Sequence, residues 1–193
     1  MNTLKAKKRN METKAKRLRR EGYITGNLFG REFEGSIPLK IDRNEAEHSL
    51  KGCLVGTQMM LDVEGTAYDV IIKEMDYDSM KHQILEIDFQ ALVSGEKVHS
   101  VAEIILTNKD KVVNGVLEQL LQEVSYKALP ADLVDKIVID AGTLRLGDSI
   151  KVKDLDIVKN DKVDVMTNPE TMVVNVIAGR TATADDTEDE EVK

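Results

Sequence analysis

QMMLDVEGTAYDVIIKEMDYDSMKHQILEIDFQAL (58–92) divides into β-type runs separated by turns. Residues 58–75 predict a hairpin, with Glu64-Gly65 supplying a two-residue turn of the kind in which glycine takes a left-handed backbone. In 83–92, Ile84, Glu86 and Asp88 alternate with Leu85, Ile87 and Phe89. Period-two alternation predicts a half-buried strand. Upstream, ITGNLFG (24–30) and SIPLKID (36–42) read as two more strands around a charged turn. NEAEHSLK (44–51) reads as a helix capped by Asp42 or Asn44. KAKRLRRE (14–21) predicts a short helix stopped by Gly22, with Ala15 and Leu18 about 60° apart as its docking edge. Strands in this succession predict a small closed barrel with helices at its edges.

Ser94-Gly95-Glu96 marks a boundary. Beyond it VHSVAEIIL, VSYKALP, DKIVIDAG, DSIKVKDL, DKVDVMT and TMVVNVIAG are short β-type runs between Asn, Asp, Gly and Pro. VLEQLLQEV (116–124) is ambiguous, because Leu117, Leu120, Leu121 and Val124 also fit a helical spacing. The expected class is mainly β with short helices. An N-terminal small β-barrel domain (1–93) precedes a β-rich C-terminal domain (94–178) and a disordered acidic tail (179–193).

Charge divides the chain more sharply than hydropathy. Residues 1–31 carry ten Lys and Arg against Glu12 and Glu21, in a protein of net charge −8. The tail GRTATADDTEDEEVK has no apolar pattern to bury. An acidic body does not adhere to polyanions in general, whereas one concentrated basic arm gives a single surface that does. Aromatic residues make up 4% of the chain and Trp is absent, so a base-stacking platform is not expected. Phosphate and groove contacts are.

Cys53 is the single cysteine, which removes a disulfide framework and favours the cytoplasm. No apolar run approaches the roughly 18 residues a membrane helix needs, and no signal-peptide core follows the basic N-terminus. His48, His82 and His99 lie far apart, so no metal site is expected, and no cofactor or small-molecule substrate either. Neither a nucleophile elbow nor a phosphate-cradling glycine loop occurs. Asp76 with Asp78, or Glu86 with Asp88, are pairs on one strand face, but no base, nucleophile and oxyanion donor converge. The chain is not expected to be an enzyme.

KAKRLRREG leading into Asn27-Leu28-Phe29-Gly30, then VIIKEMDYDSMKHQILEIDFQAL, GVLEQLLQEVSYKALPADLVDKIVIDAGTL and LGDSIKVKDL, resemble one family over nearly the whole chain. It is the bacterial large-subunit ribosomal proteins that bind 5S rRNA, in the long two-domain form of the general stress protein Ctc type. The resemblance implies a β-barrel that binds 5S rRNA at the central protuberance, and a C-terminal domain that reaches neighbouring ribosomal proteins. By that resemblance Lys14, Lys16, Arg17, Arg19 and Arg20 hold phosphates, with Arg9 a further RNA-binding candidate; Asp88, with Phe29 nearby, shapes a base-contacting strand edge, and Asp76 and Glu86 stand where the family reads RNA.

Four positions depart from the family pattern: Asp76 replaces Gln, Glu86 replaces His, Thr25 replaces Pro and Phe29 replaces Tyr. Ionised carboxylates only accept hydrogen bonds, so a member with surviving electrostatic anchoring and weakened or retuned readout is expected. The alternative is a ribosome-associated stress factor acting through protein contacts of its C-terminal domain.

Overall fold

The computed structural model describes residues 3–112 and 115–178; the expected acidic tail lies outside the described residues. Six strands close a barrel: β1 (Thr3–Lys8), β2 (Tyr23–Phe29), β3 (Ile37–Asp42), β4 (Gln58–Val63), β5 (Thr66–Asp78) and β6 (Gln83–Ala91). Their order around the barrel is β1-β3-β2-β6-β5-β4, with β1 and β4 parallel at the closure. Alternate residues turn inward, so Leu4, Ile24, Leu28, Leu39, Ile41, Leu61, Ile87 and Phe89 form one buried core. At the β4–β5 turn Glu64 (φ 54°) and Gly65 (φ 93°) both take the left-handed backbone expected of this two-residue loop.

Two helices decorate the barrel, α1 (Ala15–Arg20) and α2 (Arg43–Ser49). The α2 cap is Asp42, whose Oδ1 accepts from the Asn44 and Glu45 N–H groups; Asn44 lies inside the helix. Strands β2 and β6 run parallel and very close at Gly26, where a Cβ would run into the Ile87 carbonyl.

The alternation expected along 83–92 breaks at one point. Asp76 pairs with Glu86 and Tyr77 with Ile84, so Leu85 is an extra residue in β6. This bulge turns both Ile84 and Ile87 inward and leaves Leu85 half-buried with its carbonyl free of the ladder's regular pattern. A second bulge places an extra Lys73 in β5, whose Nζ donates to the His99 carbonyl at 2.6 Å.

The remaining strands are β7 (Val98–Thr107), β8 (Val116–Gln119), β9 (Glu123–Ala128), β10 (Lys136–Asp140), β11 (Ser149–Lys151), β12 (Asp164–Val165) and β13 (Met172–Ile177). They form a sheet of order β10-β7-β9-β12 and a second of order β11-β13-β8. A separate core gathers around Tyr126, Ala102, Val124, Val152 and Val173. The ambiguous 116–124 segment is strand: β8 pairs with β13, the chain turns a corner at 120–122, and β9 follows. The corner, not a helix, brings Leu117 and Leu121 onto this core. Among the described residues no helix is long and apolar enough to cross a membrane.

Candidate nucleic-acid interface

Helix α1 follows the loop that leaves β1. Arg9, at the start of that loop, is half-buried and donates from Nη2 to the Thr13 carbonyl at 3.0 Å, so it braces the loop from within. Leu18 is buried at 5% exposure and Ala15 is half-buried, the docking edge expected from their spacing. Arg17, Arg19 and Arg20 crowd the last turn, where the helix dipole favours cations.

The five basic side chains of this segment do not all fan outward. Arg19 turns back onto the sheet. Its Nε donates to the Leu85 carbonyl (3.2 Å), and its Nη2 reaches Thr25 Oγ1 (3.2 Å) and Glu86 Oε2 (2.9 Å). The guanidinium fork thus fills the bulge of β6 and satisfies a hydroxyl that is fully buried. Arg43 closes the other side by donating to the Arg19 carbonyl at 2.8 Å. Arg17 pairs with Glu21 along the helix at 2.8 Å and remains 75% exposed. Lys14, Lys16 and Arg20 are exposed and hold no carboxylate among the described residues.

The acids of the expected reading face stand together. Glu74, Asp76, Glu86 and Asp88 line a shallow cavity of about 170 Å³ between β5 and β6. Asp88 Oδ1 accepts from both the backbone N–H and the side-chain amide of Asn27, each at 3.0 Å. Phe29 lies two residues further along β2, opposite Gln90. Asp88 and Glu86 lie between β2 and β5, whereas the part of β5 that carries Glu74 and Asp76 extends past its pairing with β4, which ends at Gln58 and Ile71, and pairs with β6 alone.

Register explains the charge layout. Lys7 pairs with Lys40, Lys40 with Thr25, Thr25 with Glu86, and Glu86 with Asp76. One cross-strand row therefore runs from two ammonium groups, through a buried threonine under Arg19, to two carboxylates. Sequence reading missed Lys40 as a site candidate. Its signal was the alternation Leu39, Lys40, Ile41, which puts the lysine outside.

Burial, with the Asp135 charge adding to it, pushes the Cys53 thiol up, away from the thiolate a nucleophile requires. No cluster among the described residues is arranged to hold a metal ion.

A closed barrel with a cationic helix pinned across two strands defines a class: a β-barrel protein with one helix face suited to a polyanion. Comparison with known proteins narrows it. Residues 4–89 match the ribosomal L25p family, and residues 97–180 match the C-terminal domain of ribosomal protein TL5. The large ribosomal subunit protein bL25 of Caldanaerobacter subterraneus subsp. tengcongensis is 27% identical over 192 residues, 98% of this chain and 96% of its own. That of Finegoldia magna is 31% identical over 163 residues, covering 82% of this chain and 75% of its own. That of Thermoanaerobacter pseudethanolicus is 29% identical over 168 residues, covering 86% and 83%. The chain belongs to the ribosomal L25p family, which is structural rather than catalytic.

Proposed function

We propose that this protein is a structural constituent of the large ribosomal subunit that binds 5S rRNA at the central protuberance, in the cytoplasm. In this reading residues 1–93 are the RNA-binding domain, residues 94–178 contact neighbouring subunit proteins, and 179–193 are an acidic tail. The observation that carries it is the uncompensated cationic surface of α1, where Lys14, Lys16 and Arg20 lack carboxylate partners and Arg17 stays 75% exposed. A-form RNA offers a wide, shallow minor groove flanked by phosphates, a surface a short helix fits by shape and charge. Asp88, two residues along β6 from the Arg19-bound Glu86, and Phe29, further along β2, would meet base edges or sugars, while Arg9 and Arg19 act from beneath.

Gel shifts of the full chain with transcribed 5S rRNA of its own organism, across a salt series, test the reading. Lys16→Ala and Arg17→Ala should each lower the salt slope by roughly 0.7–0.9, the value of one lost phosphate contact. Slopes equal to wild type in both variants would overturn it. A second reading, a conditional ribosome-associated factor with weakened readout, is favoured by the position of Asp76 and Glu86 beside the helix. Sedimentation separates them: a stoichiometric large-subunit band supports the first, and a band present only under stress supports the second.

A further inference from the structure

Strands β2 and β6 run parallel, so the outward residues beyond Glu86 form a row leading away from α1: Asn27 with Asp88, then Phe29 with Gln90. Four residues of strand carry this row about 13 Å, at roughly 3.3 Å per residue. At its far end, where the barrel meets β7, lies a groove of about 250 Å³. Arg31, Lys73, Gln90, Glu96, Lys97 and His99 supply its polar lining. Three lysine and arginine side chains stand there against one carboxylate, the reverse of the acidic cavity between β5 and β6.

The three cations differ in what they hold. Lys97 is taken by Asp164 at 2.6 Å. Arg31 pairs with Glu96 yet stays 80% exposed, so most of its five N–H donors remain open. Lys73, the extra residue of the β5 bulge, holds no carboxylate among the described residues. Its Nζ donates to the His99 carbonyl, which leaves two of the three ammonium donors free. Glu123 borders an adjoining cleft that Lys73 also lines, and the two make no ion pair. Burial lowers the Lys73 pKa with no carboxylate charge raising it, the condition of a half-buried cation that lacks a counter-ion. Desolvation and the Lys127 and Lys73 charges lower the His99 pKa in turn, so the field at this junction is positive.

Two cationic ends therefore bracket the acids of β6. Helix α1 stands at the Thr25–Glu86 end, and the groove stands at the Gln90 end. A-form RNA presents the matching order across its minor groove: a phosphate rim, a floor of 2′-hydroxyls and base edges, and a second phosphate rim. Carboxylates repel the rims but accept hydrogen bonds from hydroxyls of the floor. We infer that Arg31 and Lys73 bind a phosphate on the opposite rim of the minor groove from the one α1 holds, with Gln90 as a neutral donor beside them. The groove floor then faces β2 and β6, over Glu86 and Asp88. This rests on the 5S rRNA reading above and adds the position of the second backbone strand to it.

The test uses the full chain, transcribed 5S rRNA and a salt series. Arg31→Gln with Lys73→Gln should lower the salt slope by about 1.4–1.8, two contacts at roughly 0.7–0.9 each. Arg31→Gln alone should lower it by about 0.7–0.9 and leaves the Lys73 bond to β7 in place. Its melting midpoint should match wild type, because an exposed ion pair contributes little, so a lost slope there reports binding and not folding. Lys73→Arg should keep the wild-type slope, since charge at that position is what counts. Glu96→Gln, which removes the groove's own carboxylate, should tighten binding. Wild-type slopes in both Gln variants, while wild type shows its salt-dependent 5S complex, overturn this inference and leave the 5S reading standing. A wild-type chain that forms no such complex overturns both.

Discussion

The two halves of the chain pair their positive charges to different degrees. Beyond the barrel, Lys97, Lys151, Lys153, Lys159 and Lys162 each hold a carboxylate, and Glu170 holds two lysines at once. In the barrel half Arg17, Arg19, Arg31 and Lys81 hold carboxylates, while the remaining cations of β1, β3 and α1 have none among the described residues. Exposed ion pairs contribute little to stability, about 0–1 kcal/mol each, so the contrast is not about holding the fold together. It concerns what the surface leaves available. The difference is one of degree and place: Lys109, Lys111, Lys127, Lys136 and Arg145 also lack a carboxylate among the described residues, but only in the barrel do unpaired cations gather on one short α-helix.

Four changes would break or sharpen that contrast. The largest effect belongs to Gly26→Ala, which places a Cβ against the Ile87 carbonyl where β2 and β6 approach. We expect a loss of about 2–4 kcal/mol, the range of severe backbone overpacking, seen in denaturant melts, together with lost RNA binding. Next is Tyr126→Phe in the other core. The fully buried Tyr126 hydroxyl donates to the Val134 carbonyl (2.9 Å) and accepts from the Val134 N–H (2.8 Å). Removing it strands two backbone groups and should cost about 1–3 kcal/mol while leaving the RNA salt slope untouched. A changed slope would show that the halves are not independent in this respect.

Arg19→Ala comes third. It empties the fork on Leu85, Thr25 and Glu86 and leaves that carboxylate beside Asp76 unanswered. We expect about 1–2 kcal/mol of destabilisation for a partly exposed charged hydrogen-bond set, and weaker RNA binding with an unchanged slope. A slope reduced as much as in Arg17→Ala would make Arg19 a direct phosphate ligand instead. The smallest effect is acid sensitivity at Glu170. Hydrogen bonds from Lys151 and Lys153, reinforced by their charges, hold its carboxyl at about 2, below the ordinary 4.5. Its contribution is complete above pH 4.5 and drains as pH falls toward 2, so Glu170→Gln should flatten the acid limb of the melting profile there.

Local chemistry made much of this legible in advance. The Glu64-Gly65 turn, the strands at 24–30 and 36–42 and the six-residue helix follow from residues that are neighbours in sequence. What stayed hidden depends on partners far away. KAKRLRR reads as five equivalent cations, and only the fold shows that Arg19 belongs to a carboxylate 67 positions on. The Leu85 bulge was masked for the same reason: alternation is read along one strand, while a bulge is defined by the strand opposite. VLEQLLQEV fitted a helix because its corner at 120–122 happens to reproduce a helical spacing of leucines. Lys40 looked like an ordinary outward residue until register set it against Lys7.

The cross-strand row from Lys7 to Asp76 has a kinetic meaning as well. It spans four strand steps, about 19 Å along the sheet at roughly 4.8 Å each. Because the barrel is closed, the row wraps around it and its basic and acidic ends lie on different sides. On the proposed RNA-binding reading, one side attracts a polyanion and the other repels it, and the association rate should fall steeply with added salt as that steering fades.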